Sequence, residues 1–594
     1  MANQVRVRSY TSPTLVLLAM DWADGAKFKD FLGFAILRSP GFHPGEKDGY
    51  LINKIGFTPP GPHSQSLPSN VSPIQKFLWW DSAITAADRG KKFTYTVTPV
   101  RGTGPRHIKL YDEAASKPVE VPVPTVERDK ISTWFNRAVV SSQSFSNRFP
   151  DPEKDLDAAM TWLANGLEDG FTQILQGAGH ICGAIYHLTD NKWVMPDLTS
   201  FAGNISLVYE DRKNDTTSLP AVAILDKAKK ATFHGEKRSK TNIMHNKFLV
   251  DLDNGRVLMG SANYTPEGLT SQANLLHIFD SQELSDLFEA RQKLMIGDPS
   301  VPDTAKGAAW SKAVAVGKAK VRVIFSPEPK NQRVSIDAVI DSIDKAKESV
   351  IFCMFDPTDP KLISSLLAVG DKKKLLYGML NSIADPSKKK DSLSDSGEAP
   401  ANPTAATEIK VTLFNRSRKD RKVLAYNYFR PGDTPAGFLP EFSAVNMSSK
   451  STLPPPKPAT GKKKGGGPPA VHIHHKFIVI DAETENPVIY TGSNNLSENS
   501  THHNDENLLE IKGSPELAQT YFAEFMRLYE HYRARALWNI AHPATKGKLK
   551  ETAKATSKLG ETFTLKTTRD GWVKGAYKPG TPEFLARIVL ASEG

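Results

Sequence analysis

Two stretches of this 594-residue chain share one pattern, and that repetition constrains the fold more than any other feature. The better formed runs from Val471 to Asn495, VHIHHKFIVIDAETENPVIYTGSNN. It sets His474, Lys476 and Asp481 in the spacing H-x-K-x-x-x-x-D ahead of Gly492-Ser493-Asn494-Asn495. The other, MHNKFLVDLDNGRVLMGSAN from Met244 to Asn263, repeats the pair as His245 and Lys247, then Phe248-Leu249-Val250 and Gly260-Ser261-x-Asn263. Short apolar runs bounded by turn residues predict strands. Side chains two apart on a strand share a face, so His474 and Lys476 project together while Phe477 and Val479 face the other way. A single His-x-Lys is most simply a feature of a buried strand. Its recurrence points to chemistry, because an imidazole beside an ammonium suits a phosphate: one attacks or protonates, the other neutralises.

The repeat extends beyond the motifs. Strand Val350 to Asp359, VIFCMFDPTD, lines up with ICGAIYHLTD, placing Phe355 on Tyr186, Thr358 on Thr189 and Asp359 on Asp190. Before it come a strand at Val321–Phe325 and a helix at Ser335–Ser349 with Ile336, Val339, Ile340 and Ile343 on one face. The first half reads likewise: a helix over Asp155–Gln176, a buried strand at His180–Asp190, a strand at Ile205–Tyr209 and a helix at Leu219–Lys230. Helices at Gln282–Met295 and Pro515–Ala536 close the two halves. This predicts two copies of one βα unit, each with a mostly parallel sheet flanked by helices.

Paired His-x-Lys strands, each trailed by Gly-Ser-x-Asn, resemble the phospholipase D superfamily, whose mark is a doubled H-x-K-x4-D motif. The second copy matches throughout. In the first, Leu252 stands where Asp481 would, leaving Asp251 or Asp253 as the neighbouring acid. The resemblance implies an α/β fold of two repeated phospholipase D-like domains packed about a pseudo-twofold axis, so that the four motif side chains meet at one phosphate. It also implies a two-step path. One histidine attacks phosphorus to form a phosphohistidine while the other protonates the leaving oxygen, then activates water. Precedent among single-chain relatives makes His245 the nucleophile and His474 the acid. The catalytic set is then His245, Lys247, His474, Lys476 and Asp481. Ser261, Asn263, Ser493 and Asn495 bind phosphate or support the site, Lys247, Lys476 and the two asparagines holding the non-bridging oxygens. No metal or other cofactor is required on this path, since lysines carry the positive charge.

Asn504-Asp505-Glu506-Asn507 resembles the family segment whose carboxylate orients a histidine. Aligned with a one-residue gap, the first copy offers Ser271-Gln272-Ala273-Asn274, which sets Ala273 opposite Glu506. A carboxylate beside one histidine alone would separate the two pKa values and so divide acid and base roles. The flanking His472, His475, His502 and His503 read as rim or surface residues.

Residues 1–125 form the first domain, with short strands, Trp79-Trp80 and the alternating FTYTVTPV run. They resemble an immunoglobulin- or fibronectin-type β-sandwich. Repeat 1 spans 126–300 and repeat 2 spans 320–540. Two insertions in repeat 2, at 385–407 and 447–470, are rich in Lys, Ser, Pro and Gly and are expected to be disordered. A basic extension, 541–594, contains a strand-like run at Phe563–Lys566.

The net charge of +11 favours an anionic partner. Cys182 and Cys353 are too few for a disulfide framework and lie in apolar strands, so both are expected as buried free thiols. The run Leu15–Met20 is too short for a signal peptide, and no stretch has the apolar length of a membrane span. These features lead to the expectation of a cytoplasmic location and of an anionic membrane surface as a peripheral contact, and the resemblance implies a monomer with two pseudo-symmetric halves acting on a phospholipid or a nucleic acid. Relatives with both copies fused in one chain are often lipid enzymes, so the resemblance, with two unequal halves fused here, favours a phospholipid headgroup as substrate. A metal-independent endonuclease is the alternative, and a non-catalytic binding protein with a decayed site is the rival from another class.

Overall fold

The computed structural model describes residues 3–58, 66–139, 142–381, 411–414, 424–426, 473–541 and 564–592. Two mixed sheets with helices dominate it, preceded by three smaller antiparallel sheets. In the first large sheet six strands run in the spatial order Ile131–Phe135, Leu275–Asp280, Arg256–Gly260, Lys247–Asp251, His180–Ile185, Asn204–Glu210. The second repeats that order as Ala319–Ser326, Glu506–Lys512, Val488–Gly492, Lys476–Ile480, Ser349–Met354, Leu375–Leu380. Each sheet therefore carries its motif strand centrally, and the expected repeat of whole domains is present.

The expected mostly parallel pairing is not. Within these six-strand sets only His180–Ile185 with Asn204–Glu210, and Ser349–Met354 with Leu375–Leu380, run parallel. Both motif strands instead turn straight back into Arg256–Gly260 and Val488–Gly492. A short connection imposes an antiparallel neighbour, whereas a parallel one needs a crossover.

Alternation along the motif strands sorts their side chains between two cores. Phe248 and Val250, with Phe477 and Val479, enter one cluster shared by both repeats and the helix Pro515–Ala541. Leu249 joins a cluster private to repeat 1, and Ile478 with Ile480 one private to repeat 2. His245 and Lys247 have the parity of Leu249, and His474 and Lys476 that of Ile478, so the polar ends of these faces lie outside the shared core. Truncating a residue such as the fully packed Phe477 would cost about 3–5 kcal/mol.

The helix expected over 155–176 is two helices, Leu156–Ala164 and Asp169–Leu175. Asn165 (φ 57°) and Gly166 (φ 85°) take left-handed conformations between them and end the first. Cys182 and Cys353 are buried free thiols, and burial raises the pKa of both. The insertions 385–407 and 447–470 lie outside the described residues.

The N-terminal region comprises a three-stranded sheet (Arg6–Ser12, Leu15–Asp21, Leu78–Asp81), a five-stranded one centred on Phe31–Ser39 and Lys92–Gly102, and a two-stranded one (Ile52–Asn53, Leu67–Pro68). Its core is completed from far along the chain. Trp572 packs against Phe31 and Phe77 at ring separations of 5.0 and 5.2 Å, and its Nε1 donates to the Phe31 carbonyl at 2.9 Å. Residues 564–566 form no strand; the segment carries helices Arg569–Val573 and Pro582–Leu590. Tyr10 Oη donates to the Leu590 carbonyl at 2.9 Å, which ties the second helix down.

Candidate functional site

The two repeats meet through reciprocal backbone contacts. Met244, before the first motif histidine, bridges Asp505, and Ile473, before the second, bridges Ala273. The His245 N–H donates to the Asp505 carbonyl at 2.9 Å, and the His474 N–H to the Ala273 carbonyl at 3.1 Å. Each contact is the other with the repeats exchanged, which is the signature of a two-fold relation. It delivers to each histidine a residue from the opposite repeat.

His245 Nδ1 lies 2.7 Å from Glu506 Oε2, and His474 Nδ1 lies 2.9 Å from Asn274 Oδ1. Ser493 Oγ donates to Glu506 Oε2 at 2.7 Å, and Ser261 Oγ to Asn274 Oδ1 at 2.8 Å. Each serine also accepts the N–H of the residue after its partner, Asn507 at 3.0 Å and Leu275 at 3.2 Å. The Gly-Ser-x-Asn serines therefore hold the residues that orient the histidines. Their preceding glycines are required by close approach: a Cβ on Gly260 would strike the Leu275 carbonyl, and one on Gly492 the Asn507 carbonyl.

This geometry corrects the gapped alignment, because the counterpart of Glu506 is Asn274 and that of Asp505 is Ala273. Aligning from Gly-Ser-x-Asn without a gap gives the same equivalence, since the serine-to-Asn274 and serine-to-Glu506 spacings are equal. Nδ2 of Asn274 donates to the carbonyls of Gly268 (2.8 Å) and Gln272 (3.4 Å), which fixes Oδ1 towards Ser261 and His474. An amide oxygen only accepts, so His474 Nδ1 carries the proton and Nε2 is left for the reaction side.

Lys247 Nζ donates to the His245 carbonyl at 2.6 Å, and Lys476 Nζ to that of His474 at 2.8 Å. Beneath them lie matching rings. The Tyr186 ring is 5.2 Å from that of His245 and 5.1 Å from Lys247 Nζ; Phe355 is 5.5 Å from His474 and 5.3 Å from Lys476 Nζ. Both histidines, both lysines, Asn263 and Asn495 are buried.

Electrostatics separate the two histidines. Burial pushes Glu506 up to about 7, against the downward pull of Lys247, of hydrogen bonds from Ser493 and Asn504, and of Lys476. A carboxyl and an imidazole at 2.7 Å then share protons as a pair. Among the described residues His474 has no carboxylate partner, its Nδ1 meeting the Asn274 amide instead. Burial drives its pKa well below 6.5, and Lys476, Lys247 and His245 push the same way, so it is neutral at neutral pH.

The contrast continues one layer out. The Met244 N–H donates to Glu210 Oε2 at 2.7 Å, and the equivalent Ile473 N–H donates to Asn381 Oδ1 at 3.0 Å. Asp505 is clamped by Arg238 Nε at 2.7 Å and Arg291 Nη2 at 2.9 Å, all three buried; Ala273 offers nothing to clamp. Sequence reasoning missed Asn274, Glu210, Asn381 and the two arginines. Asn274 was within reach of ungapped alignment, but the others lie in segments with no motif.

Asp481, grouped by sequence with the reactive residues, stands at the far end of the motif strand, about 20 Å along the chain from His474 at strand rise. Its carboxylate accepts the N–H groups of Lys347, Glu348 and Ser349 at 2.8–3.1 Å. In repeat 1 Asp253 does the same for Gly179 and His180 at 2.6 and 2.7 Å, while Asp251 pairs with Arg256. The residue displaced by Leu252 is thus supplied one position later, for a structural purpose. His475 and His502, read as rim or surface groups, are buried, and His475 packs between Phe135 and Phe477; His472 lies outside the described residues. No group of His, Cys, Asp and Glu able to hold a metal ion occurs among the described residues.

Residues 339–529 match a family model described as cardiolipin synthase, PLD-like domain. No curated protein matches the sequence. Solved structures similar to this chain include phosphatidylserine synthase of Haemophilus influenzae, at 11% identity and TM-score 0.38, with 62% of this chain and 85% of that one covered. Yeast tyrosyl-DNA phosphodiesterase is similar at 10% identity and TM-score 0.29, covering 57% and 84%. NucT of Helicobacter pylori is similar at 18% identity and TM-score 0.19, covering 28% and 93%.

Proposed function

We propose that this chain is a phosphodiesterase of the phospholipase D superfamily, with one site built from both repeats. The observation that supports it most is the exchange of orienting residues, Glu506 to His245 and Asn274 to His474. In this reading His245 Nε2 attacks phosphorus, and the P–O bond to the leaving group breaks as His474 gives that oxygen a proton. A phosphohistidine is a cationic ring, and Glu506 on Nδ1 stabilises the positive charge that attack creates. His474 arrives neutral in the free protein, and the anionic phosphodiester raises its proton affinity so that it enters the first step protonated. Once deprotonated, it removes a proton from water or an alcohol, whose oxygen displaces His245 from phosphorus. Lys247, Lys476, Asn263 and Asn495 hold the non-bridging oxygens. Ser261 and Ser493 act through the residues they fix, and Asp481 through the fold.

The substrate favoured is a phospholipid, cleaved or exchanged at its headgroup, in keeping with the description of the family matched by residues 339–529. The net charge of +11 equally suits a nucleic acid and keeps an endonuclease as the second reading. Vesicles of phosphatidylcholine and phosphatidylglycerol, and single- and double-stranded DNA, offered in the presence of a chelator decide between them. Headgroup release lost in His474→Ala supports the lipid reading, and DNA cleavage lost in that variant supports the nuclease. Binding without turnover of either, unchanged in His245→Ala and His474→Ala, would mark a decayed site.

A further inference from the structure

The rings beneath the two lysines differ by one hydroxyl. Phe355 is buried and has no hydroxyl to donate, whereas Tyr186 Oη donates to Asp215 Oδ2 at 3.1 Å. That carboxylate oxygen also meets His187 Nε2 at 2.9 Å, and the His187 ring stacks on Tyr186 with centroids 3.8 Å apart. Asp215 lies in the loop between the strand Asn204–Glu210 and the helix Leu219–Leu225, where Arg212 stands 3.6 Å from it and also pairs with Glu210. Glu210 in turn holds the backbone of Met244, the residue before His245. Burial would raise the Asp215 pKa, but the hydrogen bond and charge of His187 and the hydrogen bonds from Thr217 together outweigh it, and the group stays ionised. Repeat 2 has Phe355 and Asp356 where repeat 1 has Tyr186 and His187.

We infer that Tyr186 is a positioning residue for His245 and Lys247, and that Asp215 and His187 anchor it from the loop. This rests on the reading of His245 as nucleophile. Glu506 holds His245 at Nδ1, and the Tyr186 ring packs edge-on against the imidazole with centroids 5.2 Å apart. The same ring sits under the Lys247 ammonium, so it aims attacking nitrogen and phosphate-binding cation together. An unanchored ring would slide; the hydroxyl on Asp215 stops it. His474 donates and accepts protons, tasks that tolerate small ring displacements better than in-line attack does, and its ring neighbour Phe355 has no such tether.

The test uses the full-length protein and bis(p-nitrophenyl) phosphate, with Tyr186→Phe, Asp215→Asn, the double variant, Tyr186→Leu and His245→Ala. Tyr186→Phe and Asp215→Asn are each expected to lower kcat about tenfold with KM unchanged, and the double variant to be no worse than the worse single. Tyr186→Leu, which also loses the ring, is expected to fall about a hundredfold. Thermal midpoints identify a purely structural effect, and Asp215→Asn carries the test if a Tyr186 variant fails to fold. Tyr186→Phe and Asp215→Asn both at wild-type kcat, while His245→Ala is dead, would overturn the inference alone. A rise in KM at constant kcat would overturn it too, by making these residues substrate contacts. Turnover surviving in His245→Ala would remove the parent reading, and this inference with it.

Discussion

The two halves of the histidine cluster share a backbone and differ in charge. Around His245 stand Glu210, Asp505 and Glu506; at the equivalent positions around His474 stand Asn381, Ala273 and Asn274. Every one of these replacements trades a carboxylate for a neutral group while keeping the hydrogen bond that builds the half, whether from an amide oxygen or the main chain. The fold needs acceptors, and Asn serves as well as Glu. The proposed chemistry needs two unlike histidines, and the ionisable set, together with the Tyr186–Asp215 bond that Phe355 lacks, distinguishes them. Symmetry thus resides in the main chain and asymmetry in side chains that a fold-level comparison does not register.

Removing the histidines tests the comparison most severely. His245→Ala and His474→Ala should each lower kcat by about a thousandfold or more on a lipid or nucleic acid substrate. They should differ on bis(p-nitrophenyl) phosphate, whose leaving group needs no acid: His474→Ala should still release one equivalent of nitrophenol and retain an acid-labile phosphohistidine, and His245→Ala neither. A burst in His245→Ala and none in His474→Ala would reverse the roles. Next in size, Glu506→Gln should slow the formation of the adduct about a hundredfold, whereas Asn274→Ala should mainly slow its breakdown; rapid-quench measurement of the two steps separates them. Equal effects on both steps would show that the difference in charge assigns nothing.

At the other end of the motif strands the two halves should behave alike. Asp481→Asn weakens hydrogen bonds from main-chain N–H groups to a buried carboxylate and should cost about 1–3 kcal/mol in unfolding free energy; Asp253→Asn, at an exposed site, should destabilise in the same direction by less, and both should leave kcat of the folded fraction unchanged. Loss of kcat in Asp481→Asn at full stability would return that residue to the reacting group. The smallest effect concerns pH. A carboxyl raised in the fold from 4.5 to about 7 binds a proton that the unfolded chain has released, so its stabilising contribution is present at low pH and fades as pH rises through 7. A buried His474 with a lowered pKa works oppositely, since its contribution is present above 6.5 and lost on acidification. Denaturant unfolding of Glu506→Gln across pH 4.5–7 should therefore show a flatter decline with rising pH than wild type.

Much of this was legible in the sequence, for reasons that can be located. Strand alternation put His474 with Lys476 and Phe477 with Val479 because period-two patterning is local. Tyr186 and Phe355 aligned because each directly follows a mostly buried strand, His180–Ile185 and Ser349–Met354. Antiparallel pairing of the motif strands was missed because strand direction is set by connections, and an apolar run looks the same in either sheet type. Asp481 was misplaced for another reason: a motif records that residues recur together, not that their side chains meet, and seven residues of extended chain separate it from His474. The arginine clamp on Asp505 had no local signal, because Arg238, Arg291 and Asp505 become neighbours only when the repeats dock.

Trp572 seals the core of the N-terminal sheets across a separation of 541 residues from Phe31. Synthesis at cellular rates spends roughly half a minute to two minutes between those two side chains. For that interval the nascent sheets expose Phe31, Phe34 and Phe77 where an indole will later lie, while both repeats emerge and can dock beside them. The first strands made are thus among the last to be finished, and they are the part of the molecule with most reason to meet a chaperone before release.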